Sequence, residues 1–485
     1  MMEFYNIFKD IFNFIFLINI VFAVIVILFE RRNPASTWTW IMIMYFIPIL
    51  GFVLYLFVGQ DLRKQKFFYY KKEEEDNLLS ITKDQKNILK NDYIVKNNEL
   101  LSEYHDFIRL NLSTDNAIFT SNNDIQLLNN GDEKFPKLIK CLRNAKNFIH
   151  MEYYIFKNDD IGNEILNVLV EKANEGVEVK LLYDGMGCLR LPKNFFQPLV
   201  KAGGEISCFF PPFIPYINLR VNYRNHRKIC TIDGFHGFIG GLNIGDEYLG
   251  RSKKFGFWRD MHLYITGDAV DSLEMRFLLD WRFAAKEDIT MGPKYLPIKG
   301  QIGNKCAQII SSGPDSQWGA IRNAYLKMIN RAEKNIYIET PYLVPDDSIL
   351  TALKIAALSG IDVRIIIPAK PDHMFVYWAS KSYVWDLIEA GVKCYTYNTG
   401  FIHSKMIAVD GRMCSIGTAN WDIRSFNLNF EVNAIIYDED TTKDVEDSFL
   451  NDIKSSTFLT EEHMKKRSLI VRIKEAVSRL LSPML

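Results

Sequence analysis

Asn225-His226-Arg227-Lys228-Ile229-Cys230-Thr231-Ile232-Asp233, followed by Gly240-Gly241-Leu242-Asn243, decides how this chain is read. Its weight comes from recurrence. His403-Ser404-Lys405 leads to Asp410 and then to Gly417-Thr418-Ala419-Asn420. In both copies Lys follows His by two, Asp follows Lys by five, and Asn follows Asp by ten. A lone histidine in a half-buried strand is ordinarily a satisfied core residue, but two copies of four polar residues in one register point to a site. His105, His150, His236, His262, His373 and His463 have no such partner and read as structural.

Both motifs run through short, β-branched-rich stretches that end at Asp-Gly, the punctuation of a strand and its turn. On a strand, residues i and i+2 share a face, so His226 projects with Lys228 and His403 with Lys405. Asp233 and Asp410 fall on the opposite parity and read as supports of the motif rather than proton carriers. The Gly240–Asn243 and Gly417–Asn420 segments close turns whose amides, with Asn243 and Asn420, add hydrogen-bond donors. An ammonium, a neutral amide and an imidazole at one point suit a phosphate, with the imidazole as nucleophile or proton shuttle.

The duplicated His-x-Lys-x4-Asp-x6-Gly-x-x-Asn pattern resembles that of the phospholipase D superfamily. Within it, the chain is similar to bacterial cardiolipin synthases through Asn225-His226-Arg227-Lys228, Gly240-Gly241-Leu242-Asn243-Ile244-Gly245-Asp246-Glu247-Tyr248 and Trp258-Arg259-Asp260. Gly241 and Thr418 depart from the family pattern, standing where Ser is frequent; both are small. The resemblance implies a phosphatidyltransferase that joins two phosphatidylglycerols into cardiolipin and releases glycerol. The implied catalytic set is His226, Lys228 and Asp233 with His403, Lys405 and Asp410, Asn243 and Asn420 binding substrate. His226 as the nucleophile follows from the family alone, because the two motifs are locally equivalent. Each half also carries a carboxylate on an apolar strand, Asp260 and Glu431, and a buried acid needs a partner. A plain salt bridge is one reading; the resemblance favours an acceptor that orients a catalytic imidazole.

The rest of the chain frames these motifs. Its 485 residues exceed one core and suggest two domains plus extras. Alternating strand-like and helix-like runs repeat: Ala145–Glu152 aligns with Ala332–Glu339, and Ala202-Gly203 with Ala390-Gly391. The expected fold is α/β, with two homologous phospholipase D-like domains, 117–295 and 296–460, packed about a pseudo-two-fold axis. That arrangement sets His226 and His403 across one site that neither half builds alone.

Before them, residues 1–60 read as a transmembrane hairpin. Its apolar runs at 11–29 and 38–58 each reach the roughly 20 residues needed to span hydrocarbon. Arg31 and Arg32 lie in the intervening loop, against Lys9, Arg63, Lys64, Lys66, Lys71 and Lys72 outside it, which places both ends and the catalytic domains on the cytoplasmic face of the cell membrane. Residues 61–116 read as a charged, partly helical linker on the membrane surface, and 461–485 as a basic amphipathic helix, lying on anionic lipid or docked on the domain. Pro211-Pro212-Phe213-Ile214-Pro215-Tyr216 has no counterpart in the second half and reads as a lid, a membrane-dipping element or a surface loop. Arg220, Arg224 and Arg227 nearby are candidates to meet lipid phosphates.

Lys+Arg and Asp+Glu both number 58, so no basic groove argues for nucleic acid, and phosphate selectivity rests on local placement. The 7 cysteines show no C-x-x-C spacing and read as free thiols. No metal or other cofactor is expected; the expected partners are phosphatidylglycerol and an anionic bilayer. Two alternatives stay open: a membrane-bound hydrolase or transferase of the same superfamily using water or another lipid alcohol, and a non-enzymatic lipid-binding scaffold.

Overall fold

The structure is a computed structural model that describes residues 13–25, 34–47, 50–51, 54–55, 67–211 and 223–482. The chain forms two compact units, Met1–Gln65 with Pro211–Tyr223, and Lys66–Phe210 with Arg224–Leu485.

In the first unit, residues 13–25 and Pro34–Phe46 are helical. Asn19, a polar interruption of an apolar run, turns inward and donates from Nδ2 to the Met44 carbonyl at 2.7 Å. Trp40 and Met44 are buried against Phe22, Ile43 and Tyr55, while Phe14, Leu17, Trp38 and Phe46 face outward. The expected spans 11–29 and 38–58 lie partly outside the described residues. Among the described residues, no helix is long and apolar enough to cross a membrane. All of the 211–216 loop except Pro211 also lies outside them.

The second unit is built on one 16-stranded sheet with two further two-stranded sheets. Its first half supplies β1 (Phe119–Asn129), β2 (Phe148–Tyr153), β3 (Glu178–Asp184), β4 (Glu205–Phe209), β5 (Arg224–Asn225), β6 (Lys228–Ile232), β7 (His236–Gly240), β8 (Phe257–Arg259) and β9 (Met261–Gly267). The second half supplies β10 (Lys305–Ser312), β11 (Asn335–Glu339), β12 (Leu343–Val344), β13 (Asp362–Pro368), β14 (Lys393–Tyr397), β15 (Gly400–Ile402), β16 (Met406–Val409), β17 (Met413–Gly417), β18 (Trp421–Asp422), β19 (Asn429–Tyr437) and β20 (Ser456–Phe458). The order β4-β3-β2-β6-β7-β9-β1 meets β10-β19-β17-β16-β11-β13-β14, with β20 added at the far edge. Read outward from the antiparallel β1–β10 junction, both halves repeat one series: first strand, last strand, the motif hairpin, then three strands in parallel. The duplication is therefore real. The halves, however, share one sheet instead of standing as separate bodies.

Helices cover both faces of this sheet, which is why β2, β6, β16 and β19 are buried along their whole length and read as nearly unbroken apolar runs. The larger helices are α1 (Lys72–Ile88), α2 (Glu99–Thr114), α3 (Asn130–Asn144), α4 (Asp160–Asn174), α5 (Ala269–Ala285), α6 (Ala320–Arg331), α7 (Asp347–Leu358), α8 (Met374–Glu389), α9 (Glu439–Lys454) and α10 (Leu469–Leu480). Local chemistry starts several of them. Asp159, Asp346 and Asp438 each cap a helix by accepting backbone N–H groups from its first turn.

Within the expected linker 61–116, Lys72–Ile88 and Glu99–Thr114 are helical and pack into the catalytic unit. Phe107, Ile108 and Leu112 of α2 sit in the core with Ile310 and Tyr325, and Glu74 of α1 pairs with Arg282 of α5. The apolar stripe at i, i+1 and i+5 of α2 is what seats it there.

Candidate active site

Each motif hairpin turns at an Asp-Gly pair whose residues take left-handed φ values: 55° and 72° at Asp233 and Gly234, and 57° and 67° at Asp410 and Gly411. Asp tolerates this conformation because its short side chain can bond nearby backbone. Here it does so at longer range. The Asp233 carboxylate accepts from the backbone N–H groups of Lys146, Asn147 and Phe148 at 2.7–2.9 Å. That of Asp410 accepts from Glu333, Lys334 and Asn335 at 2.7–2.9 Å. Both aspartates thus tie the far end of the motif strand to the turn before β2 or β11. Each holds the turn of its motif hairpin through backbone bonds alone, a supporting place.

At the other end of each strand the two halves exchange partners. β5 pairs in parallel with the start of β19, and β15 pairs in parallel with β8. The His226 N–H donates to the Phe430 carbonyl at 2.9 Å, and the His403 N–H to the Arg259 carbonyl at 2.7 Å. One residue further on, each imidazole meets the carboxylate of the opposite half. His226 Nδ1 lies 3.0 and 2.9 Å from Glu431 Oε1 and Oε2, and His403 Nδ1 lies 2.8 Å from Asp260 Oδ2. A carboxylate accepts, so each Nδ1 carries the hydrogen and each Nε2 keeps its lone pair for chemistry. Asp260 and Glu431 are both fully buried, each against the histidine of the opposite half.

Lys228 and Lys405 are also fully buried. Lys228 Nζ donates to the His226 carbonyl at 2.6 Å; Lys405 Nζ donates to the His403 carbonyl and lies 2.8 Å from His403 Nδ1. Burial pushes Lys405 down to about 8, opposed by Asp260 and Glu431, and holds Lys228 well below the ordinary lysine range. Burial likewise pushes His226 down to about 4 against the pull of Glu431, and holds His403 well below the usual imidazole range with help from Lys405 and Lys228. Asp260 is pushed up to about 6 by burial, against the pull of Lys405. The groups crowd one small, desolvated volume that disfavours uncompensated positive charge. An entering phosphate supplies the missing anion.

The two asparagines differ. Asn243 is anchored at both ends of its amide: Oδ1 accepts from the Ile155 N–H at 3.1 Å, and Nδ2 donates to the Tyr248 hydroxyl at 3.1 Å. Asn420 is 5% exposed, and its Oδ1 has no hydrogen-bond partner among the described residues. Thr418 donates from Oγ1 to Glu431 Oε2 at 2.6 Å, whereas a Cβ at Gly241 would fall 2.0 Å from Asp260 Oδ1.

Several contributors escaped the sequence. Tyr154 sets its ring edge-on to His226 at 4.9 Å, and Trp258 lies against His403 at 5.1 Å, each walling one imidazole. Asn429 donates to Glu431 Oε1 at 3.1 Å. Beneath the motifs lie two buried carboxyl pairs, Glu152 with Asp280 and Glu339 with Asp452, in which Glu152 and Glu339 are pushed well above the usual carboxylate range by burial and by their partner acids. Arg227 serves the first pair, 2.6 Å from Asp280, and Arg259 binds Asp452 of the second. Arg227 is 1% exposed, so it is a core cation and not the lipid contact its sequence position suggested. Arg220 lies outside the described residues. Among the other histidines, His150 is a satisfied core residue between Glu274 and Glu178.

Comparison with known proteins identifies the family. A family described as cardiolipin synthase, PLD-like domain, matches residues 138–259 and 325–453, one match per half. A second, described as phospholipase D-nuclease N-terminal, matches residues 17–60. A protein of Listeria monocytogenes named cardiolipin synthase is 48% identical over 470 residues, covering 97% of this chain and 98% of its own. A Bacillus subtilis protein named major cardiolipin synthase is 46% identical over 97% of this chain and 98% of its own. One of Staphylococcus aureus named cardiolipin synthase is 46% identical over 98% of this chain and 97% of its own. Among solved structures, a phosphatidylserine synthase of Haemophilus influenzae superposes with a TM-score of 0.60 at 18% identity, covering 78% of this chain and 99% of that one; it supports the fold.

Proposed function

The chain belongs to the cardiolipin synthases of the phospholipase D superfamily, and from that premise we propose that it transfers a phosphatidyl group between two phosphatidylglycerols by double displacement on His226. The observation that carries this reading is the crosswise pairing of His226 with Glu431 and His403 with Asp260, which leaves two Nε2 atoms free in one volume with two buried lysines.

In the first step His226 Nε2 forms a bond to phosphorus, the bond from phosphorus to the glycerol oxygen breaks, and His403 delivers a proton to that oxygen. In the second step His403 takes the proton from a headgroup hydroxyl of the second phosphatidylglycerol. The resulting oxygen attacks phosphorus, and the bond to His226 breaks. One phosphodiester replaces another, so the reaction is near thermoneutral and needs no nucleotide. Lys228, Lys405 and Asn420 face the non-bridging oxygens, with Asn243 anchored beside them, and act most strongly on charge that develops in the transition state. The entering anion offsets both ammonium groups and lifts His403 toward the protonated form it needs as an acid. Glu431 holds His226 with both oxygens and no lysine leans on that Nδ1, which favours His226 as the nucleophile.

Purified protein incubated with phosphatidylglycerol alone should yield cardiolipin and glycerol in equal amounts; phosphatidic acid in their place would mean water is the acceptor. A substrate analogue with an acidic leaving group should rescue the first step in His403→Ala and not in His226→Ala. Mass spectrometry should then find the phosphatidyl group on the peptide containing His226. An adduct on His403 would reverse the assignment, and full turnover with no adduct would reject double displacement.

The protein acts at a membrane in this reading, with residues 11–29 and 38–58 as a two-span hairpin and both ends in the cytoplasm. The apolar runs, the flanking charges and the N-terminal match at 17–60 support it. Protease added outside intact cells should leave residues 117–485 uncut; their digestion would reject the orientation.

A further inference from the structure

Helix α10 is docked the wrong way round for a helix that only completes a core. Glu475, 4% exposed, accepts from Trp385 Nε1 at 3.0 Å and pairs with Arg467. Arg479 donates to Asp386 at 2.7 Å and to Ser382 at 3.1 Å, with its guanidinium 4.5 Å from the centre of the Tyr383 ring. The polar side of α10 thus meets α8. Its aliphatic side faces outward: Leu469, Ile470, Ile473, Val477 and Leu480 are between 48% and 81% exposed. In a surface helix of a soluble domain the apolar stripe faces the core, and this arrangement is the reverse.

Charge is sorted on the same helix. At about 100° per residue, Leu469, Ile473, Val477 and Leu480 cluster on one line, and Arg472 and Lys474 fall about 100° to either side of Ile473. Both of these cations are exposed, whereas the single acid of α10, Glu475, is buried beside Arg467. The outward two-thirds of the helix therefore offers an aliphatic ridge flanked by positive charge with no acid among it. That is the complement of one surface, an anionic lipid leaflet, whose headgroups meet the cations while the ridge enters the acyl boundary. We infer that α10 is a second membrane contact, separate from the N-terminal apolar runs, which seats the catalytic unit in the plane of an anionic leaflet. Helix α8, on which it rests, begins two residues after Asp372, whose charge acts on His403 and Lys405. The contact therefore bears on an element that borders the active site.

The test uses the full-length protein with Val477→Cys, labelled with an environment-sensitive fluorophore and reconstituted into vesicles of phosphatidylcholine alone or mixed with phosphatidylserine. Five native cysteines are buried and two half-buried, so the exposed position labels first. Emission should shift to the blue and brighten several-fold in the anionic vesicles, and lipids brominated on the acyl chain should quench it. Arg472→Glu with Lys474→Glu should abolish the response, and a label at Glu171→Cys on α4 should not respond. Identical emission in both vesicles without quenching overturns the inference. So does a blue shift that appears without anionic lipid and accompanies cross-linking between copies through position 477, because the ridge would then cover a second copy of the chain. As an independent readout, Ile473→Glu with Val477→Glu should lower transfer on vesicles several-fold and leave it unchanged in detergent micelles. Equal loss in both also overturns it.

Discussion

Around His226 the orienting carboxylate is saturated. Glu431 faces the imidazole with both oxygens and accepts further hydrogen bonds from Thr418 at 2.6 Å and Asn429 at 3.1 Å. Around His403 the equivalent group is shorter and more lightly held. Asp260 accepts from His403 and from the Met261 N–H at 2.8 Å, Gly241 leaves no hydroxyl opposite it, and Lys405 crowds the same Nδ1. Burial pushes Asp260 up to about 6, against the pull of Lys405. A ring that must form a covalent bond gains from a fixed position; one that must lose and regain a proton gains from a partner that titrates nearby. Two motifs identical in register have thus been given different surroundings.

The largest effects should come from unpairing each imidazole. Glu431→Gln should lower kcat by about 10³- to 10⁴-fold, as expected when a histidine loses the group that fixes its tautomer. Asp260→Asn should lose about 10²- to 10⁴-fold with the natural substrate and recover with an acidic leaving group, because only proton delivery has failed. Equal losses with both substrates in both variants would erase the distinction between the half-sites.

Gly241→Ala sharpens the same contrast. The added methyl would meet the Asp260 carboxylate at 2.0 Å and drive it from His403. A displacement of about 1 Å at a catalytic group costs on the order of 10²-fold, and steady-state rates should show it. Unchanged kcat would mean that Asp260 has room to move, which its complete burial argues against.

The pH profile should carry the asymmetry too. As pH falls through about 6, Asp260 takes a proton and ceases to be the acceptor His403 needs, so kcat/KM should fall about tenfold per unit. As pH rises through about 8, Lys405 loses its charge and phosphate binding weakens. Asp260→Asn should remove the acid limb, and Glu431→Gln should leave it in place. The smallest effect belongs to Thr418. Thr418→Ala deletes the hydrogen bond to the buried Glu431 carboxylate, worth about 1.5–3 kcal/mol in denaturant unfolding, together with the one its hydroxyl accepts from the Val432 N–H, and Thr418→Ser should restore both.

What could be read in advance was whatever is local. Spacing along a strand put His and Lys on one face, and parity sent Asp233 and Asp410 to the other. Pairing across the molecule was hidden, because Glu431 lies 205 residues from His226 and Asp260 lies 143 from His403, and nothing in either motif names its partner. Arg227 looked like a contact for lipid phosphate because it follows the Pro/aromatic loop at 211–216; the inward face of α5, which carries Asp280, claims it instead. Asn243 and Asn420 are equivalent in register, yet only Asn243 has both ends of its amide held. The tail read as an amphipathic helix, and amphipathicity alone does not say which side is docked. That depended on Trp385 and Asp386, far away in the chain.

The exchange of carboxylates across the β5–β19 and β15–β8 ladders also carries a constraint on descent. A single repeat would own a histidine and an acid that never meet, so an unfused ancestor could have assembled this site only as a pair of twins. With both copies in one chain, neither has to be self-complementary. A change on one side no longer had to suit its mirror image, and Gly241 and Thr418 are the kind of difference that freedom permits. Drift remained tied at the joints, however: any lineage that altered Glu431 would have disarmed a histidine in the other repeat.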